Sequence, residues 1–113
     1  MSASQNINPM RGDTTLVIND QQYRVRLTLG AIAEFESLRK KSVFELISDF
    51  EAQKVTSQDL IAILVAGLRA QGWKGSQGDL ETAEIEGGFP AALNAAVGAL
   101  VGAFQPDFAG AGA

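Results

Sequence analysis

Between Thr14 and Leu38 the spacing of apolar residues changes from every second position to every third or fourth, and this switch constrains the fold more than any other feature. Thr14 to Ile18 and Gln22 to Leu27 alternate apolar and polar residues and are rich in β-branched and aromatic types, the pattern of a half-buried hairpin. With Asp20 and Gln21 at the tip, Leu16 pairs with Val25 and Ile18 with Tyr23. One face then holds Leu16, Ile18, Tyr23, Val25 and Leu27, and the other Thr15, Val17, Arg24 and Arg26. A slip of one residue would exchange the faces, so the apolar pattern sets the register. A lone hairpin is marginal in water and needs a surface to pack on. Thr28 is a suitable N-cap for the segment that follows, roughly Leu29 to Arg39, where Ile32, Phe35 and Leu38 recur at helical spacing.

Four further helices follow. Ser42-Val43-Phe44-Glu45 has the form of a capping box and opens a helix to about Ala52, with Val43, Leu46, Ile47 and Phe50 on one stripe. A third starts at Thr56 to Asp59, turns Leu60, Ile61, Leu64, Val65 and Leu68 to a core, and stops at Gly72. Ile63 lies off its main stripe. Gly67 lies inside it at a cost of roughly 1 kcal/mol relative to Ala, for which close approach by another backbone is the usual compensation. Asp79 is placed to cap a short fourth helix from Leu80 to Ile85. In the fifth, Pro90 to Phe104, the stripe is Leu93, Val97, Leu100, Val101 and Phe104, and the remaining surface is mostly alanine and glycine. A helix apolar all round is covered on more than one side. The cover is either this chain alone or, in part, another molecule, a second copy of the chain included.

The expected fold class is therefore α+β, an N-terminal β-hairpin packed on a bundle of four to five short α-helices. Residues 1–10 are expected to form a flexible arm, 11–104 one domain and 105–113 a disordered tail.

The chain has no cysteine and no histidine. That excludes disulfides, thiolate metal sites and cysteine nucleophiles, and removes the usual zinc ligand and the commonest general base. No cofactor or metal site is expected, and the chain does not read as an enzyme. The loop from Gly72 to Gly78 lacks the GK[ST] ending of a phosphate-binding loop, and Asp79, Glu81, Glu84 and Glu86 lack EF-hand spacing. A net charge of −4 argues against nucleic acid as a partner. The charge is uneven, with six Lys/Arg and four Asp/Glu in residues 1–41 against three and nine in 42–113. No signal-peptide pattern opens the chain. As a helix, Pro90 to Phe104 would reach only about 22 Å against roughly 30 Å of hydrocarbon, so no membrane span is expected and the expected location is the cytoplasm.

Three stretches carry a resemblance: Asn8-Pro9-Met10-Arg11-Gly12-Asp13 before the hairpin, Leu27-Thr28-Leu29-Gly30-Ala31-Ile32-Ala33-Glu34-Phe35-Glu36, and Leu64-Val65-Ala66-Gly67-Leu68-Arg69-Ala70-Gln71-Gly72. In this order and spacing they resemble the small family of gene transfer agent and tailed-phage proteins encoded between the tail tube and the tape measure, over roughly residues 8–104. Two departures are an Asn-Asp-Gln hairpin tip where the family usually has glycine, and Gln71 where it has a small residue. The resemblance implies a tail assembly chaperone that coats the helical tape measure protein, keeps it soluble, and is displaced as tube subunits polymerise. A structural tail component is the alternative, since the family also carries the label of tail tube protein. The implied partners are the tape measure protein and, second to it, the tail tube protein. The candidate contact residues are Trp73 in the glycine-rich loop, Ile63 off its helix stripe, Phe89 before the last helix, the alanine face of that helix, and Arg24 and Arg26 on the outer hairpin face, which suit an acidic partner.

Overall fold

The hairpin turns on Asn19 and Asp20, whose φ angles of 49° and 70° are both positive. This is the two-residue loop whose twist matches that of the flanking strands, and Asn and Asp are the non-glycine residues that best tolerate it. The computed structural model describes residues 14–104; the expected arm 1–10 and tail 105–113 lie outside the described residues. The strands are β1 (Thr14–Ile18) and β2 (Gln21–Val25), antiparallel, with Thr14 opposite Val25, Leu16 opposite Tyr23 and Ile18 opposite Gln21. This corrects the expected pairing by two residues, because the tip is Asn19-Asp20 rather than Asp20-Gln21. An even shift keeps each side chain on its expected face. Leu16, Ile18, Val25 and Leu27 are buried, Tyr23 is half-buried, and Arg24 and Arg26 are outside.

Five helices follow: α1 (Leu29–Arg39), α2 (Val43–Glu51), α3 (Ser57–Arg69), α4 (Gln77–Glu81) and α5 (Gly88–Phe104). With the hairpin they make the α+β fold expected. Thr28 caps α1, its Oγ1 accepting from the Ala31 N–H at 3.0 Å. Ser42 and Glu45 form the reciprocal box at the start of α2, at 3.0 and 3.1 Å. The Glu36 Oε2 also accepts from the Val43 N–H at 2.9 Å, tying α1 to the first turn of α2.

The fourth helix differs from expectation. Its cap is Ser76, and Asp79 sits three residues in, accepting from the Ser76 N–H at 2.9 Å while its own N–H donates to Ser76 Oγ at 3.3 Å. The helix ends at Glu81 because residues 84–86 pair with the hairpin instead. Ile85 bridges Ile18, the Asn19 N–H donates to the Glu84 carbonyl at 2.8 Å, and the Glu86 N–H donates to the Val17 carbonyl at 3.0 Å. The outer edge of β1 is thereby covered at its Val17–Ile18 end.

α3 is the hub of the core. It packs against α1, α4, α5 and β2, and nine of its thirteen residues are buried. Gly67 meets its expectation. A Cβ there would lie 2.9 Å from Val25 Cγ1, and the Gly67 carbonyl accepts from the Arg26 N–H at 3.3 Å, so the chain after β2 runs directly over the helix. Phe35 and Leu46, both 0% exposed, fill the core from α1 and α2. Leu38, expected to face that core, is instead half exposed at the end of α1, beside Val65 and Arg69.

One charged group enters the interior. Asp59, 1% exposed, accepts from Arg39 Nε at 2.7 Å and Lys41 Nζ at 2.6 Å, and Lys41 also reaches Asp49 at 2.8 Å. Burial alone would raise the Asp59 carboxyl, but the Lys41 and Arg39 hydrogen bonds and charges outweigh it and hold the group below its usual range. The hydrogen bonds that Lys41 donates to Asp49 and Asp59 raise it above its ordinary value against the cost of burial. The cluster pins the end of α1 and the turn after it to the end of α2 and the start of α3.

Candidate partner-binding surface

α5 buries the alanine face that the sequence offered to a partner, a correction to that expectation. Its buried residues are Ala92, Ala95, Ala96, Gly98, Ala99, Leu100 and Gly102, whereas Val97 is 39% and Phe104 42% exposed, with Leu93 and Val101 half-buried. The reason is steric. The distance between packed elements depends on the side chains at the contact, and an alanine and glycine face lets α5 lie close to α3 and across the hairpin, against which it packs. Of the bulky stripe, Leu100 is buried and Leu93 packs at the core's margin, while Val97, Val101 and Phe104 look outward.

Beside this stripe runs α2, and the two helices meet at the tips of their side chains. Phe44, 66% exposed, lies against Phe104 with ring centroids 5.6 Å apart and planes tilted by 57°. Between the helices is an open groove of about 270 Å³ lined by Ile47, Phe50, Val97, Leu100, Val101 and Phe104, with Glu51 as its one ionisable lining residue. Single exposed apolar residues are ordinary on a protein surface. Here exposed Val97 and Phe104 and half-buried Ile47, Phe50 and Val101 line a single depression over buried Leu100, an apolar hollow open to a partner's side chains. The groove is smaller than the range of about 300–1,000 Å³ usual for small-molecule pockets and has few polar groups to orient a ligand. It suits apolar side chains presented by another chain.

The residues singled out from the sequence do not converge there. Ile63 is only 1% exposed and belongs to the core, because α1, α4, α5 and β2 pack around most of α3; it offers nothing to a partner in this fold. Trp73 is half-buried. It packs edge-on to Tyr23 with centroids 6.5 Å apart and lies flat over Gly75, which leaves no room for a side chain at that glycine. Beside it is a mainly polar recess of about 390 Å³ bordered by Asn19, Gln21, Asp79 and Thr82. Phe89 is 58% exposed and begins the outward stripe of α5, four residues before Leu93. Arg24 and Arg26 are exposed on the outer face of the hairpin, away from the groove residues in sequence and in fold.

The surface that sequence reasoning missed comprises Phe44, Ile47, Phe50, Val97, Val101 and Phe104. A signal for it was present. The stripe of large residues on α5 faces a complete stripe of alanine and glycine, and such a helix has two usable faces of different reach. Among the described residues, no group of three or more acidic side chains is placed to hold a metal ion, and no helix is long and apolar enough to cross a membrane.

Residues 11–105 match a family model described as phage tail tube protein, GTA-gp10. No curated protein and no solved structure matches the chain.

Proposed function

The chain belongs to the family described as phage tail tube protein, GTA-gp10, and on that premise we propose that it is a tail assembly chaperone. Family membership makes it a tail-related protein of a phage or gene transfer agent. The finer reading is that it binds the tape measure protein in the cytoplasm and keeps it soluble until tube subunits replace it. One observation carries this reading: the large apolar side chains of α5 and the facing residues of α2 are left outside, as an open groove. A grooved apolar surface is the form in which proteins hold an amphipathic helix. Repeated weak contacts along one long client would hold it through local concentration and still release it to a tighter competitor.

The alternative is a structural component of the tail, and the family description itself favours it by naming a tube protein. Against it, the described residues form one two-stranded sheet plus the single bridge at Ile85, little from which to build a β-rich ring. Two experiments separate the readings. A chaperone raises the soluble fraction of the co-expressed tape measure protein and is absent from purified particles. Stoichiometric recovery of this chain from particles by mass spectrometry would remove the chaperone reading.

A further inference from the structure

Charge around the groove says what kind of chain it takes. We infer that its occupant is an amphipathic helix whose apolar anchors are bordered by lysine or arginine, and not a second copy of this protein. The inference rests on the chaperone reading for the identity of the client and on the groove itself for the client's chemistry. Lys74 is the last cation in the sequence, and from Gly75 to Ala113 there are five acidic residues and no Lys or Arg. α5 therefore contributes only uncharged residues to the groove. On the opposite wall the one ionisable lining residue is Glu51 of α2.

Of the cations near α2 in sequence, Arg39 and Lys41 hold Asp59 and Lys41 also holds Asp49, while exposed Lys54 follows the helix without lining the groove. An anchor row entering the groove thus meets carboxylate at its border and no lining cation. In a two-fold pair of copies the same patch faces itself, so the two grooves together would hold two Glu51 carboxylates and no lining cation. Like-charge juxtaposition disfavours a partner. A basic border on the client converts the same carboxylates into attraction, and the volume of about 270 Å³ admits a few anchor side chains.

The test uses the full chain and two labelled model helices with identical leucine anchors, one bordered by lysine and one by glutamate. At about 0.1 M salt the lysine-bordered helix should bind about three- to five-fold more tightly, the size of one or two exposed ion pairs. The difference should shrink at about 1 M salt, where the screening length falls to about 3 Å. Glu51→Lys should erase or invert the preference while anchor-dependent binding persists, and Val97→Asp should abolish binding of both helices. Equal affinity for the two helices in the wild type would overturn the inference. So would a wild-type dimer in analytical ultracentrifugation that Val97→Asp makes monomeric, since a second copy would then fill the groove. Because Val97→Asp places a charge on an apolar wall, its fold is checked by circular dichroism, and Glu51→Lys, an exposed change, carries the charge test independently.

Co-expression distinguishes this inference from the reading beneath it. If the wild type fails to raise the solubility of the tape measure protein, the chaperone reading falls whatever the model helices do. If wild type and Val97→Asp raise it equally, chaperoning stands and the groove is not the seat of the client.

Discussion

α3 and α5 are both rich in apolar residues around their circumference, and the fold treats them differently. α3 is enclosed by α1, α4, α5 and β2, and Ile63, Leu64 and Leu68 are at most 1% exposed. α5 is covered on its small-residue side only, and Val97 and Phe104 stay about two-fifths exposed. Apolar content measures how much surface must be covered, but it does not say by which molecule. Steric reach decides that. A face of alanine and glycine approaches the core more closely than a face of leucine, valine and phenylalanine, so the closer-packing face wins the interior.

The largest effect that can break this comparison is a truncation on each helix. Leu68→Ala is expected to cost about 2–5 kcal/mol of stability, while Val97→Ala should stay within about 0.5 kcal/mol. Urea unfolding of both variants reads the contrast, and a loss at Val97 as large as at Leu68 would mean that the outer face of α5 is structural.

Next in size is Asp59→Asn on α3. Removing one partner of a fully buried pair costs about 3–5 kcal/mol. Here about 2 kcal/mol is expected, because the Arg39 and Lys41 side chains are 33% and 25% exposed and can recover water. The pH dependence follows from the two directions of shift. Asp59 is held low, so its contribution is present above its unfolded value near 3.9 and is lost as the pH falls through the lower folded value. Lys41 is held high, so its contribution is complete below about 10.4 and is lost as the pH rises through the higher folded value. The stability gap between wild type and Asp59→Asn should therefore be widest between these limits and close in acid. A gap unchanged from neutrality to strong acid would show that the Asp59 charge contributes nothing.

Gly67→Ala sharpens the account of why α3 is sealed. The gain in helix propensity of about 1 kcal/mol is opposed by overpacking of about 1–3 kcal/mol, since the new methyl would meet buried Val25 Cγ1 at 2.9 Å. A net loss of about 1 kcal/mol in thermal or urea unfolding is expected, and a stabilised variant would show that β2 can yield. The smallest stability effect belongs to the groove. Phe44→Ser should change stability by less than about 0.5 kcal/mol yet lower the solubility of the co-expressed tape measure protein. Unchanged solubility would detach Phe44 from the client.

Much of the local structure was legible in the residues. Thr28, Ser42 with Glu45, and Thr56 start α1, α2 and α3 where their side chains predict, because a cap is a contact over three residues and needs nothing distant. The candidate site was far less legible. Phe89 lies on the outward stripe, but Ile63 is buried and Trp73 borders a separate recess, because exposure depends on what packs beside a helix or loop, which local spacing does not encode.

By itself the sequence determined which residues alternate, which cap, and which helices are apolar, since these depend on period and on near neighbours along the chain. It also determined the parity of the hairpin faces and the close approach at Gly67. Only the tertiary structure decided the two-residue shift in pairing, the recruitment of residues 84–86 to the edge of β1, and the side of α5 that faces inward. Those outcomes depend on distances between segments far apart in the chain, where the fit of one surface to another, rather than any local preference, sets which arrangement is lowest in free energy.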